Sequence, residues 1–248
     1  MITAAFREGS FRDRIALISG GTSGIGAAIA GALATLGAQV TVTGATEIEA
    51  AAARERCGFW WERAVALDVR DAYAVTSFIT GLPKLDILVN CAGVIRRGDE
   101  HDPNVFAEVL DVNLNGTMRL CAAARSLLAA TQGCILNTAS VLSFLGGGLV
   151  PGYSASKGGV AQLTKSLAIA YAAERIRVNA IAPGWIATPL TQPLQDDPAR
   201  SQAILARTPL GRWGTPEDLA GAAVFLCSPA AAFITGTVLA VDGGYLAM

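Results

Sequence analysis

Short apolar segments alternate with longer alanine-rich segments along the whole chain. The short segments are rich in β-branched residues, which favours strands, and the segments between them have the length of helices. Strands rich in apolar residues throughout, separated by helices, predict a parallel sheet covered on both faces and joined by right-handed crossovers. Seven strands are predicted, at residues 14–19, 39–43, 64–67, 86–90, 134–138, 177–181 and 238–241.

The alternation indicates one domain. No Pro/Ser-rich linker, low-complexity tract or internal repeat divides the chain, so a single doubly wound α/β domain is predicted over residues 1–248. Residues 184–212 interrupt the pattern, because four prolines fall within them. This stretch follows the carboxyl end of a strand, which favours a substrate loop or lid, and an ordinary surface loop is the alternative.

Composition excludes several classes of protein. Apolar residues make up 52% of the chain and charged residues 16%, which is typical of a globular protein. The formal charge is −1, with no basic cluster beyond Arg96 and Arg97, so nucleic acid is not expected as a partner. No apolar run reaches the roughly 20 residues that span a bilayer, and no signal peptide is apparent. We therefore expect no membrane segment and a cytoplasmic location.

The cysteines and the single histidine narrow the chemistry further. The cysteines are never spaced as a metal or redox pair, so they are expected to be reduced and mostly buried. They are Cys57, Cys91, Cys121, Cys134 and Cys227. His101 is the only histidine, so we predict no metal site and no histidine-based mechanism unless that residue serves. An α/β hydrolase is excluded, because no serine lies in a Gly-x-Ser-x-Gly turn.

A glycine-rich turn joins the first predicted strand to the first predicted helix. It has the sequence Gly-Gly-Thr-Ser-Gly-Ile-Gly over residues 20–26. Gly20 permits a tight turn, Gly24 lets N–H groups approach a pyrophosphate at the helix N-terminus, and Gly26 allows close packing of helix on strand. A flexible turn without a ligand is the alternative, which the strand–turn–helix context disfavours.

Two other segments end strands on the same edge of the sheet. Asp68 and Val69 follow the third strand, and Asn-Cys-Ala-Gly at residues 90–93 follows the fourth. Ligands of open α/β sheets bind at the carboxyl ends of the strands, where the strand order reverses. Asp68 can accept a hydrogen bond from an adenine amino group or cap the next helix, and the two roles are compatible.

Four polar residues form the candidate catalytic group. Tyr153 and Lys157 are four apart in a helical stretch and share one face. The ammonium and a cationic oxidised nicotinamide are together predicted to lower the tyrosine pKa from about 10 towards 7. Alone, such a pair is usually a partly exposed face. Ser140 follows the fifth strand, where its hydroxyl can hold a substrate oxygen. Asn113 lies in an apolar helical stretch, which indicates pairing with water or backbone, or simple repair of the helix.

With these motifs the chain resembles the short-chain dehydrogenases/reductases over essentially its whole length. The turn matches Thr-Gly-x-x-x-Gly-x-Gly with Ser19 in place of threonine, and residues 90–93 match Asn-Asn-Ala-Gly with Cys91 as the one change. The resemblance implies a single doubly wound Rossmann domain with a seven-stranded parallel sheet. It also implies hydride transfer between a nicotinamide cofactor and a secondary alcohol or ketone.

The resemblance assigns roles to individual residues. Ser140 would polarise the carbonyl, Tyr153 would exchange the hydroxyl proton, Lys157 would lower the tyrosine pKa and hold the ribose, and Asn113 would anchor a water relay. The set of implied cofactor-binding residues includes Tyr153 and Lys157. Its other members are Gly20, Thr22, Ser23, Gly24, Ile25, Gly26, Asp68, Val69, Asn90, Ala92, Gly93, Pro183, Gly184, Ile186 and Thr188.

Within the family, residues 92–97, 139–144 and 212–247 are similar to the keto-deoxy-sugar-acid dehydrogenases of the gluconate type. Arg96 or Arg97 would then bind a substrate carboxylate beside Ser140 and Tyr153, with a solvated arginine pair as the alternative. A 3-oxoacyl thioester reductase is the rival enzyme, disfavoured because no basic docking patch stands out. A non-catalytic nucleotide sensor is the rival outside the enzymes.

The choice of cofactor and the assembly follow from two other patterns. The second strand ends Thr-Gly-Ala-Thr at residues 43–46, without the acidic residue that accepts from a free ribose hydroxyl. Ser23 and residues 43–46 also offer no cation for a 2′-phosphate, so the prediction is NAD or NADP with NAD favoured. Residues 115–130 and 154–173 are apolar on more than one face, which predicts an oligomer. The resemblance implies a homotetramer, or a homodimer, with residues 242–248 at a second interface.

Overall fold

The structure is a computed structural model that describes residues 5–56 and 63–248. Seven parallel strands form one sheet in the order β3-β2-β1-β4-β5-β6-β7. The strands are β1 (Ile15–Ser19), β2 (Gln39–Gly44), β3 (Arg63–Ala66), β4 (Ile87–Asn90), β5 (Cys134–Thr138), β6 (Arg177–Pro183) and β7 (Val238–Val241). All seven predicted strands are confirmed, and their ends differ from prediction by two residues at most.

Helices cover both faces of the sheet in the described ranges. They are α1 (Gly24–Thr35), α2 (Glu47–Arg56), α3 (Ala72–Thr80), α4 (Pro103–Leu110), α5 (Gly116–Thr131), α6 (Pro151–Tyr171), α7 (Gln192–Gln195), α8 (Pro198–Ala206) and α9 (Pro216–Cys227). Successive residues of β1 belong to different cores. Ile18 packs in a cluster with residues of α1 and α9, and Leu17 packs in a cluster with residues of α3, α5 and α6. Burial on both faces explains why the strands are apolar throughout.

The strand order reverses at β1, which pairs with β2 on one side and with β4 on the other. The chain leaves β1 towards α1 and leaves β4 towards α4, so the loops that follow these two strands diverge. Gly20 and Cys91 begin those loops. A crevice therefore opens at this edge of the sheet, where the predicted ligand site lies.

Residues 184–212 are more regular than the sequence indicates. A short 3₁₀ helix (Pro189–Thr191), α7 and α8 all lie within them. Prolines stand in the first two positions of each of these elements, where the missing N–H would be unpaired in any case. The stretch still interrupts the alternation of strands and helices, since α7, α8 and α9 follow one another between β6 and β7, but three of its prolines begin helical turns.

Four cysteines fall within the described ranges and all are free thiols, with Cys121, Cys134 and Cys227 buried and Cys91 half-buried. Cys57 lies outside those ranges. None of the helices that the structure describes is long and apolar enough to cross a membrane.

Candidate active site

A cavity of about 740 Å³ lies at the carboxyl ends of the strands around the point where the strand order reverses. Every predicted cofactor-binding residue except Asn90 lines it. Ser140, Tyr153, Lys157 and Arg96 line it as well, whereas Asn113 and Arg97 do not. Leu190 and Thr191 reach it from the loop predicted as a lid.

The glycine turn brings two loops into contact and leaves a helix N-terminus facing the cavity. Gly20 has φ +63°, and a Cβ there would lie 2.6 Å from the backbone nitrogen of Ala92. A Cβ at Gly26 would lie 2.3 Å from the carbonyl oxygen of Gly20. Ser23 makes no side-chain capping hydrogen bond, and the first turn of α1 has no acidic side chain. Its N–H groups thus suit an anion such as a pyrophosphate.

Asn90 has a different position from the one predicted. Its side chain is buried below the cavity, where Nδ2 donates to Oδ1 of Asn137 (2.9 Å) and to Sγ of Cys121 (3.3 Å). Asn90 therefore joins β4 to β5 and α5. The prediction that it binds the cofactor stays a prediction, and the residues of this segment that line the cavity are the next three, at positions 91–93.

Asp68 lies at the cavity wall, paired with Arg70. The guanidinium of Arg70 contacts both carboxylate oxygens of Asp68, and this hydrogen bonding holds the pKa of the carboxyl below its usual value. Asp68 does not cap the following helix. That cap is Asp71, whose side chain accepts from the backbone nitrogen of Ala74 at 2.9 Å.

Asn113 lies in a π-helical turn between α4 and α5, at Asp111–Asn115, and is fully buried. Its Oδ1 accepts from the backbone nitrogen of Val94 (2.8 Å), and its Nδ2 donates to the oxygen of Val94 (3.0 Å) and to Oγ of Ser156 (3.0 Å). These bonds connect the loop after β4 to α6. The alternative of simple helix repair fails, since its side chain bonds to other elements. The predicted water relay stays a prediction.

Lys157 is buried at the wall of the cavity, with 4% of its surface exposed. Its Nζ donates to the carbonyl oxygen of Thr138 at 2.7 Å and lies 5.6 Å from the centroid of the Tyr153 ring. An ammonium has three N–H donors, so two remain for a ligand. Burial lowers the pKa of Lys157 to about 8.

Tyr153 is half-buried beside it. Burial raises the pKa of its phenol, a hydrogen bond with Ser140 opposes the rise, and the carboxylate of Glu100 adds to it. The prediction that Lys157 and a cationic nicotinamide together lower this pKa stays a prediction. In the protein alone, burial has the largest effect on the pKa of Tyr153. The prediction also included the positive charge of a bound nicotinamide.

Ser140 follows β5 and begins a short 3₁₀ turn (Val141–Ser143), which local hydrogen bonds fix. Its Oγ accepts from the backbone nitrogen of Leu142 at 3.1 Å. Oγ of Ser143 accepts from the nitrogen of Ser140 (3.2 Å) and donates to the carbonyl oxygen of Lys157 (2.7 Å). The turn formed by residues 140–143 is thus hydrogen-bonded to α6, the helix that carries Tyr153 and Lys157.

Glu100 is a buried carboxylate that the sequence analysis missed. It is 1% exposed and accepts from the backbone nitrogens of Arg96 (2.8 Å) and Tyr153 (2.7 Å). The N-terminus of α6 stabilises its charge. The sequence Asp-Glu-His at residues 99–101 is typical of a turn exposed to solvent. No sequence pattern indicates that Glu100 is buried while its neighbours are not.

The two candidate substrate arginines differ in position. Arg96 lines the cavity, and Glu100 holds its backbone nitrogen. Arg97 is not a lining residue, and its pKa is lowered by burial and by the positive charge of Arg200 in α8. The structure thus brings only Arg96 to the cavity with Tyr153.

The groups present fit a nicotinamide dinucleotide. The N-terminus of α1 suits the pyrophosphate, and the two remaining donors of Lys157 suit ribose hydroxyls. The same residues do not suggest metal chemistry: no group of three or more His, Cys, Asp or Glu side chains in the described ranges is placed to hold an ion.

The chain is similar to proteins named as dehydrogenases and reductases. A family described as enoyl-(acyl carrier protein) reductase matches residues 20–246. The chain is 44% identical over 247 residues to the 2-dehydro-3-deoxy-D-gluconate 5-dehydrogenase of Bacillus subtilis, covering 96% of each protein.

Two solved structures are similar over nearly their whole length. A gluconate 5-dehydrogenase from Burkholderia cenocepacia, in complex with NADP and tartrate, is 35% identical with a TM-score of 0.90, and the match covers 98% of this chain and 99% of that one. A protein from Agrobacterium tumefaciens with bound NADP, provisionally named a 2-deoxy-D-gluconate 3-dehydrogenase, is 44% identical with a TM-score of 0.88. That match covers 98% of this chain and 100% of the other.

Proposed function

The chain belongs to the short-chain dehydrogenase/reductase family, and from that premise we propose that it oxidises a secondary hydroxyl of a sugar acid. The reaction class, hydride transfer between NAD(P) and a CH–OH group, is that of its relatives. The observation that carries the substrate proposal is the position of Arg96 in the same cavity as Ser140, Tyr153 and Lys157.

In the proposed mechanism, Ser140 donates a hydrogen bond to the substrate oxygen and fixes its distance from Tyr153. A nicotinamide dinucleotide held by the N-terminus of α1 and by Lys157 would supply the acceptor for the hydride of the carbinol carbon. The Tyr153 phenolate takes the hydroxyl proton, so the alcohol loses two electrons and two hydrogens and becomes a ketone. Lys157 holds the ribose and favours the phenolate, and Asn113 anchors a water relay behind it.

Arg96 is proposed to bind the substrate carboxylate. Its planar guanidinium matches a carboxylate bidentately, and Glu100 fixes its backbone beside the N-terminus of the Tyr153 helix. The substrates named for two relatives are sugar acids, and the Burkholderia cenocepacia structure holds tartrate, a hydroxy dicarboxylate. These observations support a carboxylate as the recognised group.

We propose that NAD is preferred, although similar solved structures hold NADP. We also propose a single domain, a cytoplasmic location and a homotetramer. The assembly is supported by apolar side chains exposed on the helices and near the C-terminus, such as Met118, Ile169, Phe233, Leu239 and Met248. Sedimentation of the purified protein as a monomer would contradict the assembly.

The test is cofactor absorbance with NAD or NADP and a panel of sugar acids, neutral polyols, secondary alcohols and 3-oxoacyl thioesters. We expect turnover on sugar acids. In Arg96→Met, KM for the acid should rise at least about tenfold, which is one charged hydrogen bond lost, while kcat on any neutral substrate stays unchanged. Turnover confined to neutral substrates or to thioesters would remove the sugar-acid proposal, and cofactor binding without any turnover would favour the sensor.

A further inference from the structure

The carboxyl end of β2 lacks an acidic residue in the sequence, yet a carboxylate lies there in the structure. A Cβ built at Gly44 would lie 2.8 Å from Cβ and 2.8 Å from Oε2 of Glu49. Glu49 belongs to the first turn of α2, and its side chain folds back over the last residue of β2. Its carboxylate thus fills the space that a side chain at position 44 would occupy.

Local hydrogen bonds hold the Glu49 side chain in this position. Its Oε2 accepts from the backbone nitrogen of Ala45 at 2.7 Å, and its own nitrogen donates to Oγ1 of Thr46 at 3.2 Å. The Thr46-x-x-Glu49 spacing is that of a capping box, so the residue also has a structural reason to be there. Oε1 receives no hydrogen bond from the residues that the structure describes, and Glu49 lines the cavity. A carboxylate accepts at both oxygens, so Oε1 is available to a ligand hydroxyl.

The surrounding charges at this end of the cavity do not suit a second phosphate. The cationic lining residues within the described ranges are Arg70, Arg96 and Lys157. Arg70 is paired with both oxygens of Asp68, and Lys157 and Arg96 lie with Tyr153 at the other end. A 2′-phosphate beside Gly44 would therefore meet the Glu49 carboxylate without a free cation among those lining residues.

Resting on the proposed function, we propose that Glu49 decides which nicotinamide dinucleotide this chain accepts. Its carboxylate takes the place of an acidic residue at the end of β2: it accepts a hydrogen bond from the free 2′-hydroxyl of the adenosine ribose and repels a 2′-phosphate. The carboxylate that selects NAD thus belongs to α2 and lies over Gly44, the last residue of β2.

Fluorescence titration with NADH and NADPH tests this without turnover, and titration with 5′-ADP and 2′,5′-ADP isolates the adenosine end. The variants are Glu49→Gln, which keeps an acceptor for the nitrogen of Ala45, and Glu47→Gln, a matched control. Glu47 lies in the same turn of α2, pairs with Arg54 and does not line the cavity. The wild type should prefer NADH. The ratio of the two affinities should fall at least about tenfold in Glu49→Gln, which is the loss of one charged hydrogen bond, and should stay unchanged in Glu47→Gln.

A rescue variant separates this role from capping of α2. Gly44→Asp in the Glu49→Ala background puts a carboxylate back at the same place from the strand, and it should restore the preference for NADH. An unchanged ratio in a folded Glu49→Gln protein, or a rescue variant that binds NADH no better than Glu49→Ala, would overturn the inference. A wild type that binds neither cofactor would instead remove the proposed function itself.

Discussion

The two ends of the cavity hold their charges in different ways. At the Tyr153 end, Lys157 is 4% exposed and Glu100 is 1% exposed, and each is hydrogen-bonded to backbone. At the β2 end, Glu49 and Arg70 are exposed and the Asp68–Arg70 pair lies at the surface. Buried polar groups lose more when a partner is removed, whereas exposed charges are screened. Substitutions at the first end should therefore lower turnover steeply, and those at the second should change cofactor choice, sensitively to salt, and leave turnover unchanged.

Tyr153→Phe should have the largest effect. Removing the phenol removes the proposed general acid and base, so kcat should fall by about 10³-fold while the dissociation constant for NADH changes by no more than about twofold. Steady-state kinetics and NADH fluorescence measure the two effects. Tyr73→Phe is the matched control, because Tyr73 is 83% exposed on α3. Turnover near the wild-type rate in Tyr153→Phe would exclude the assigned proton acceptor.

Glu100→Gln should have the next largest effect. A glutamine that keeps one acceptor turns its amide donors towards a backbone N–H, which leaves a buried donor unpaired at about 1–3 kcal/mol. We expect kcat/KM to fall roughly tenfold or more, because both the Arg96 loop and the start of α6 lose a fixed position. Asp99→Asn removes the same charge from an exposed neighbour and should leave kcat/KM unchanged.

The same variant also predicts a shift with pH. The groups that face the phenol are Lys157 on its own helix, Ser140 at the end of β5 and Glu100 in the loop after β4. Since the Glu100 carboxylate raises the pKa of Tyr153, its removal favours the phenolate. The rise of kcat/KM for alcohol oxidation should therefore occur at lower pH in Glu100→Gln than in the wild type. An unchanged pH profile would mean that Glu100 acts on Tyr153 by position alone, and a shift to higher pH would contradict the prediction.

Local patterns account for what the sequence could predict. The seven strands, the glycine turn and the spacing of Tyr153 and Lys157 are local patterns, and each was found at its place. Glu49 has the local spacing of a helix cap and Glu100 has no local pattern, and neither pattern indicates a place in the cavity, because that depends on which backbone approaches them in three dimensions. Glu100 lies in an ordinary polar turn of the sequence and becomes buried only when α6 packs against that turn.

Other departures have equally specific causes. Asn90 matches a motif, but a strand alternates its side chains, and this one turns into the core beside Asn137. The prolines of residues 184–212 read as interruptions, although three of them begin helical turns. The pKa of Tyr153 depends on how deeply its phenol is buried, and the spacing of Tyr153 and Lys157 in the sequence does not indicate that burial.

Lys157 predicts a pH dependence of cofactor binding. Burial lowers its pKa to about 8, so its ammonium loses a proton as the pH rises past that value, and a charged donor to the ribose becomes a neutral one. The affinity for NADH should therefore weaken about tenfold between pH 7 and pH 10, measured by fluorescence titration. Lys157→Arg, whose guanidinium stays protonated over this range, should bind with a nearly flat profile. An equally steep loss in the arginine variant would assign the titration to another group.

Asp68→Asn should have the smallest effect. It tests whether the charges at the β2 end of the cavity are screened by solvent. The Asp68 carboxylate is now bonded to Nε and Nη2, one edge of the Arg70 guanidinium, so a neutral amide should free that edge towards the adenosine ribose. NADPH affinity should rise about two- to threefold with kcat unchanged, and the gain should fade in high salt, because these charges are exposed. Arg70→Met in the same background should abolish it. A gain that persists in high salt would show that the charges of this pair are not screened as exposed charges should be, and the comparison between the two ends would fail.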